Sequence, residues 1–130
     1  MSSLQVLYVD DEPDIREIAA IALGLDPGIS VRLADGGVQA LAMVGAEGWW
    51  PDVVLLDVMM PGMDGPAVLT ALLERPRSAS IPVVFITART QSQDRARLLQ
   101  LGAIGVISKP FDPMTLAKEL RAVLSAERVG

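Results

Sequence analysis

Asp10-Asp11-Glu12, Asp57, Thr87 and Ser108-Lys109 each stand at the end of a short apolar run. Together they offer several carboxylates, a hydroxyl and an ammonium. Carboxylates brought close together repel: two unit charges about 4 Å apart interact by about 4 kcal/mol at an effective dielectric near 20, and a carboxyl pKa rises unless a counter-ion is present. A divalent cation relieves this. Magnesium takes one or two carboxylates, keeps several waters and accepts phosphate oxygens. The same groups suit phosphoryl transfer, which is mostly positioning and charge neutralisation. Asp57 is then the nucleophile that becomes an aspartyl-phosphate. Magnesium and Lys109 neutralise the phosphoryl oxygens, and the Thr87 hydroxyl donates to one of them. Ala88 is small and leaves the approach to Asp57 open.

Composition removes most competing chemistries. The 130 residues include no cysteine and no histidine. Thiol nucleophiles, disulfides, thiolate metal sites, Ser-His-Asp catalysis and imidazole-ligated zinc are therefore excluded. A net charge of −5 disfavours direct nucleic-acid binding, which needs a basic footprint. No apolar run reaches the roughly 20 residues that span a bilayer, and Met1-Ser2-Ser3-Leu4 does not open a signal peptide. The expectation is a soluble, cytoplasmic chain with no membrane partner, forming one domain over residues 1–130.

These residues need elements to hold them. Leu4–Val9, Val53–Leu56, Val83–Ile86 and Ile104–Ile107 are short, nearly continuous apolar runs, and Ile29–Leu33 is a weaker one. Such runs suit strands covered on both faces. Between them, Ile15, Ile18, Ala19 and Ala22 follow helical spacing, as do Leu116, Leu120, Val123 and Leu124. Val68, Leu69, Leu72 and Leu73 mark another helix, Arg95 to Leu101 a fourth and Ala40 to Val44 a fifth. Pro13, Pro66 and Pro113, each just after acidic residues, mark helix starts. Strand and helix thus alternate five times. Right-handed crossovers make this an α/β doubly wound parallel sheet with helices on both faces. In such a sheet the strand C-termini share one edge, where open α/β folds bind ligands.

Each residue also has an ordinary structural explanation. The acids suit helix N-termini, Asp57 and Thr87 suit turns and caps, and Lys109 suits a solvated surface. Those explanations fail jointly, because four strands would all have to finish in complementary chemistry by accident.

At this point the chain resembles the receiver domain of two-component response regulators, over about Leu4 to Leu124. The resemblance is carried by Val9-Asp10-Asp11-Glu12, Leu56-Asp57-Val58-Met59-Met60-Pro61-Gly62-Met63-Asp64-Gly65, Ile86-Thr87-Ala88 and Ser108-Lys109-Pro110-Phe111. It implies a single five-stranded sheet in the order 2-1-3-4-5, the flavodoxin-like (βα)5 fold. Asp57 matches the phosphoacceptor, Asp10 and Asp11 the acidic pair at the Mg2+ ion, and Met59 a backbone-carbonyl ligand. Thr87 matches the switch hydroxyl and Lys109 the site lysine, and the Lys109-Pro110 bond is expected to be cis. The resemblance implies a stand-alone signalling module, not an enzyme beyond its own phosphorylation and dephosphorylation. Its partners would be a histidine kinase or histidine phosphotransfer protein and a downstream target protein, with the chain a monomer or weak dimer.

Several features depart from the pattern or compete with it. Receivers often carry Tyr or Phe three residues before the lysine; Val106 stands there, which puts the usual hydroxyl–aromatic coupling in doubt. Gly102-Ala103-Ile104-Gly105 lacks the acidic pair of receivers that dimerise to drive winged-helix DNA binding, which argues against that subfamily. Met59 and Arg89 flank the site, either as solvated loop residues or with Met59 shielding the phosphoryl group from water. Arg95, Arg97, Lys118, Glu119 and Arg121 mark either the usual output face of fourth helix, fifth strand and fifth helix or a solvated charged face. Trp49-Trp50 are expected to pack where the second helix meets the third strand. A phosphohydrolase would carry a second Asp at position 59, and a flavin-binding domain would need an uncharged anion loop where Asp10-Asp11-Glu12 stands. A degenerate receiver that only binds partners would lack the complete set of site residues.

Overall fold

In the computed structural model, which describes residues 3–88 and 91–129, strands and helices alternate along the chain. The strands are β1 (Leu4–Val9), β2 (Ile29–Ala34), β3 (Val53–Asp57), β4 (Val83–Thr87) and β5 (Gly105–Ser108). The helices are α1 (Pro13–Gly24), α2 (Gly37–Met43), α3 (Gly65–Glu74), α4 (Ser92–Leu101) and α5 (Leu116–Val129). All strand pairings are parallel, in the order β2-β1-β3-β4-β5, as the alternating apolar runs predict.

Burial explains which strands are easiest to read. Every residue of β3 and β4 is buried, so both appear as unbroken apolar runs. β2 is an edge strand and exposes Ser30 and Arg32, which is why its pattern is weaker. Alternation along the strands divides the core in two. Val6, Tyr8, Leu55 and Ile86 face α1 and α5, meeting Ala19, Leu23, Leu116 and Leu120. Leu7, Val9, Leu56 and Phe85 face the other way, against Ala40, Val68, Leu72 and Leu98 of α2, α3 and α4. Each such aliphatic side chain contributes about 1.5–3 kcal/mol by leaving water, so the two layers clamp the sheet and fix the positions of its strand ends.

Several boundaries differ from the sequence expectation: α4 starts at Ser92 rather than Arg95, and β2, β3 and β4 each run one residue further. Helix α2 starts at Gly37, a turn before Ala40. A Cβ at Gly37 would lie 2.7 Å from Val68 Cγ2, so only glycine lets α2 approach α3 this closely. Helix α5 starts at Leu116, not at Pro113. Asp112 explains it: its side chain accepts from the Met114 N–H at 2.9 Å and its carbonyl from the Leu116 N–H at 3.0 Å, so residues 113–115 form a turn first. Strand β5 is shifted one residue, to Gly105–Ser108.

The tryptophans lie between α2 and β3, half-buried against the α2–α4 layer. The Arg32 guanidinium covers Trp49 at 4.3 Å and that of Arg77 covers Trp50 at 4.2 Å, both within cation–π range. Trp49 Nε1 also donates to Gln5 Oε1 at 3.1 Å.

Candidate functional site

The four separate sequence signals meet at the carboxyl edge of the sheet. Asp10 follows β1 directly, and its N–H donates to the Ala34 carbonyl at 3.2 Å. Asp57 ends β3 and Thr87 ends β4. Lys109 follows β5, where its N–H donates to the Thr87 carbonyl at 2.9 Å. β2 lies on one side of β1 and β3 on the other, so strand order reverses beside Asp10 and Asp57, the place where open α/β sheets bind ligands. The Lys109-Pro110 peptide is cis, as expected.

Helix α3 is set tightly behind Asp57. The Gly65 N–H donates to the Val58 carbonyl at 2.9 Å, and a Cβ at Gly65 would lie 2.5 Å from the Asp57 carbonyl oxygen. Asp64 then caps the helix by accepting from the Ala67 N–H at 2.9 Å.

One ammonium joins the acids. Lys109 Nζ lies 3.1 Å from Asp10 Oδ2, 3.4 Å from Asp57 Oδ2 and 3.6 Å from Glu12 Oε1. Burial alone would lower the Lys109 pKa, but its contacts with Asp10, Asp57 and Glu12 outweigh burial and raise it. Burial, then the charge of Asp10, pushes the Asp57 carboxyl up to about 6; Lys109 and the Met59 backbone pull it down. Asp57 is only 4% exposed, yet it borders an open cleft of about 500 Å³ lined also by Glu12, Ile15, Ile18, Met59, Thr87 and Phe111. A carboxylate that is costly to ionise, reachable from solvent and beside an ammonium is well placed to accept an electrophile.

The donor set fits a hard cation. Carboxylate oxygens of Asp10, Asp11 and Glu12 lie within 4.8 Å of one another, and oxygen ligands select magnesium-type ions. Asp57 stands outside that tight group and is linked to it through Lys109. Thr87 is buried between this cleft and a smaller cavity of about 180 Å³ on the α4 side, which Asp94, Arg97 and Leu98 also line.

Two residues at the site escaped sequence reading. Tyr8 donates its hydroxyl to Asp10 Oδ2 at 3.0 Å, and Arg16 Nη1 donates to the Asp10 carbonyl at 2.7 Å. Tyr8 was detectable, because it lies two residues before Asp10 and so on the same strand face. Arg16 carried no signal beyond a charge on a helix.

The five charged residues assigned to the output face do not form one face. Arg95 Nη1 donates to the Val106 carbonyl on β5 at 3.2 Å, and Lys118 and Glu119 are exposed on α5. Arg97 instead borders the cavity between α3 and α4. Arg121 turns toward the α1–β2 loop, where its Nε pairs with Asp26 Oδ2 at 2.5 Å. Arg89 lies outside the described residues.

Comparison with known proteins agrees with this geometry. The sequence profile of the response regulator receiver domain matches residues 6–121. The chain is 37% identical over 123 residues to the phosphate regulon transcriptional regulatory protein PhoB of Escherichia coli, covering 92% of this chain and 51% of that protein. It is 37% identical over 127 residues to the response regulator Rre1 of Synechocystis, covering 98% and 54%. The chain thus spans about half the length of these curated relatives. The structure of the chemotaxis response regulator CheY4 of Vibrio cholerae superposes with a TM-score of 0.83 at 34% identity, covering 94% of this chain and 99% of that one. Transcriptional regulators stand among these relatives.

Proposed function

Since the chain belongs to the response regulator receiver domain family, we propose that it takes a phosphoryl group from a histidine kinase or histidine phosphotransfer protein onto Asp57 in a Mg2+-dependent reaction. The observation that carries this is the Lys109 ammonium, held between Asp10 and Asp57 at the floor of an open cleft. An Asp57 carboxylate oxygen attacks phosphorus, the phosphorus–nitrogen bond of the donor breaks, and the leaving imidazole nitrogen takes a proton from solvent. Lys109 remains beside the oxygen that gains the phosphoryl group and offsets its added charge. The Thr87 hydroxyl, at the wall of the same cleft, donates to a phosphoryl oxygen. Asp10 and Asp11, with Asp57 and the Met59 carbonyl, would hold the ion, which when bound supplies charge neutralisation for the transferring group.

The chain acts as a signalling module, not as an enzyme on other substrates. We read residues 1–130 as one receiver domain that changes its binding to a downstream target through the α4-β5-α5 face. Arg95, Lys118 and Glu119 are the charged groups that remain assigned to that face. The net charge of −5 supports a protein rather than a nucleic-acid target. Among the described residues no helix is long and apolar enough to cross a membrane; we read the chain as cytoplasmic and as a monomer or weak dimer.

The test is incubation with acetyl phosphate, with and without magnesium, followed by intact mass. One added phosphoryl group that requires magnesium and is absent in Asp57→Asn is the expected result. No adduct, together with no melting shift on adding beryllofluoride and magnesium, would overturn the reading.

A further inference from the structure

We propose that Tyr8 is a positioning residue of the acidic cluster: its hydroxyl fixes the orientation of the Asp10 carboxylate and thereby sets the affinity of the site for a divalent cation. The proposal rests on the phosphoacceptor reading of the same site.

The geometry is specific. Tyr8 is fully buried in β1, with its ring in the layer formed by Val6, Ile86, Leu116 and Leu120. Asp10 is fully buried as well. Three donors hold its carboxylate. Oδ2 accepts from the Tyr8 hydroxyl at 3.0 Å and from Lys109 Nζ at 3.1 Å, and Oδ1 accepts from the Glu12 N–H at 3.0 Å.

The donors differ in stiffness. Lys109 has a long stem and also contacts Asp57 and Glu12. The Glu12 N–H belongs to the turn that leads into α1. Tyr8 alone is anchored by packing on a strand in the middle of the molecule. A phenol keeps its proton at neutral pH, so the hydroxyl acts as a donor to Asp10. A phenylalanine would fill the same apolar space without needing a polar partner. Tyrosine instead brings a hydroxyl that Asp10 satisfies. Partners of this kind orient metal ligands, and losing one typically weakens metal binding about 10- to 100-fold.

The experiment titrates magnesium into the full chain by calorimetry, using the wild type, Asp10→Asn and Tyr8→Phe. Wild type is expected to bind one ion and Asp10→Asn none. Tyr8→Phe, which keeps the ring and its packing, is expected to bind at least about tenfold more weakly. In acetyl phosphate labelling, its half-saturating magnesium concentration should rise by the same factor, while the rate at saturating magnesium stays near wild type. A Tyr8→Phe protein that binds magnesium like wild type, whatever its melting temperature, overturns the proposal and leaves the phosphoacceptor reading intact. A wild type with no Asp10-dependent magnesium binding overturns the reading and the proposal together.

Discussion

Lys109 Nζ stands 3.4 Å from Asp57 Oδ2, yet the Asp57 carboxyl is held above its usual pKa. An ammonium at that distance normally pulls a carboxyl down. Here burial and the charge of Asp10 together outweigh it, because Lys109 is shared with a second buried acid.

The sign of the resulting pH dependence follows from linkage. The folded-state pKa of Asp57 is about 6 against the usual 3.8. The native state therefore holds this proton where the unfolded state has lost it. The contribution of Asp57 to stability is fully present below about pH 4 and is lost as pH rises through about 6. Asp57→Asn removes the cost of ionisation. In magnesium-free buffer it should be more stable than wild type at pH 7 by about 3 kcal/mol, with the difference vanishing near pH 4. Urea melts at the two pH values in the presence of a chelator check this.

Removing Lys109 has the opposite effect. Asp10 and Asp57 would then face each other buried, without the ammonium that joins them. Breaking a buried ion pair from one side costs about 3–5 kcal/mol. Lys109 keeps partial contact with solvent, so the expected loss for Lys109→Ala is about 2–3 kcal/mol. Magnesium should restore part of it, since a divalent cation meets the same need. Urea melts with and without magnesium distinguish this from loss of packing, which magnesium would not repair.

The core and the site were legible to different degrees. β1, β3 and β4 could be read because both faces of each are covered, which leaves an apolar run that ends abruptly in Asp10, Asp57 or Thr87. The start of α5 was misplaced, because Pro113 resembles a first helical residue while Asp112 caps a turn instead. Arg121 turns away from α4 toward Asp26, a partner 95 residues distant in sequence that helical spacing does not reveal. Tyr8 shares a strand face with Asp10, but inside an apolar run a tyrosine looks like core, so only the three-dimensional structure shows its hydroxyl on the Asp10 carboxylate.

Gly65 links the fold to the site. Adding a methyl group would place Cβ 2.5 Å from the Asp57 carbonyl and 2.9 Å from Val58 Cα. Both are backbone atoms, which cannot move aside as a side-chain tip does. Gly65→Ala should destabilise the protein by about 1–3 kcal/mol and displace Asp57. Acetyl phosphate labelling at a temperature where the variant remains folded should be slowed about tenfold or more, the effect expected of a small misplacement of a reacting group.

Met59 overhangs the same cleft and is 63% exposed. If its apolar thioether shields the phosphoryl group, it does so by limiting the approach of water to Asp57. Asn at this position would offer a hydrogen bond to a water in line for attack. Met59→Asn should speed loss of the phosphoryl group about threefold to tenfold, on the order of 1 kcal/mol of barrier, without changing stability. An unchanged decay rate of the labelled protein, followed by intact mass after removal of the donor, would assign Met59 to the solvated loop.

Arg95 reaches from α4 to the backbone of Val106, the position where an aromatic residue often stands in this family. β5 is an edge strand, and its Val106 carbonyl accepts from Arg95 Nη1 of α4 at 3.2 Å. Val106 itself is buried beside Phe85, its register partner on β4, and is too small to swing outward as a ring does. The connection from α4 to β5 is therefore made by a polar bond at the sheet edge, in addition to the apolar contacts of Leu98 and Ala103. A charge-assisted bond at an exposed site contributes about 1 kcal/mol. Arg95→Ala should lower global stability by about that much and increase amide exchange by about fivefold in the first turns of α4 and in the core amides that exchange through global unfolding, leaving segments that open locally away from α4 unaffected. Arg95→Lys, which keeps the charge but cannot reproduce the guanidinium geometry, should restore the effect only in part. Hydrogen exchange followed by mass spectrometry on the two variants checks both expectations; uniform exchange across α4 in wild type and Arg95→Ala would show that Leu98 and Ala103 alone hold this helix to the sheet.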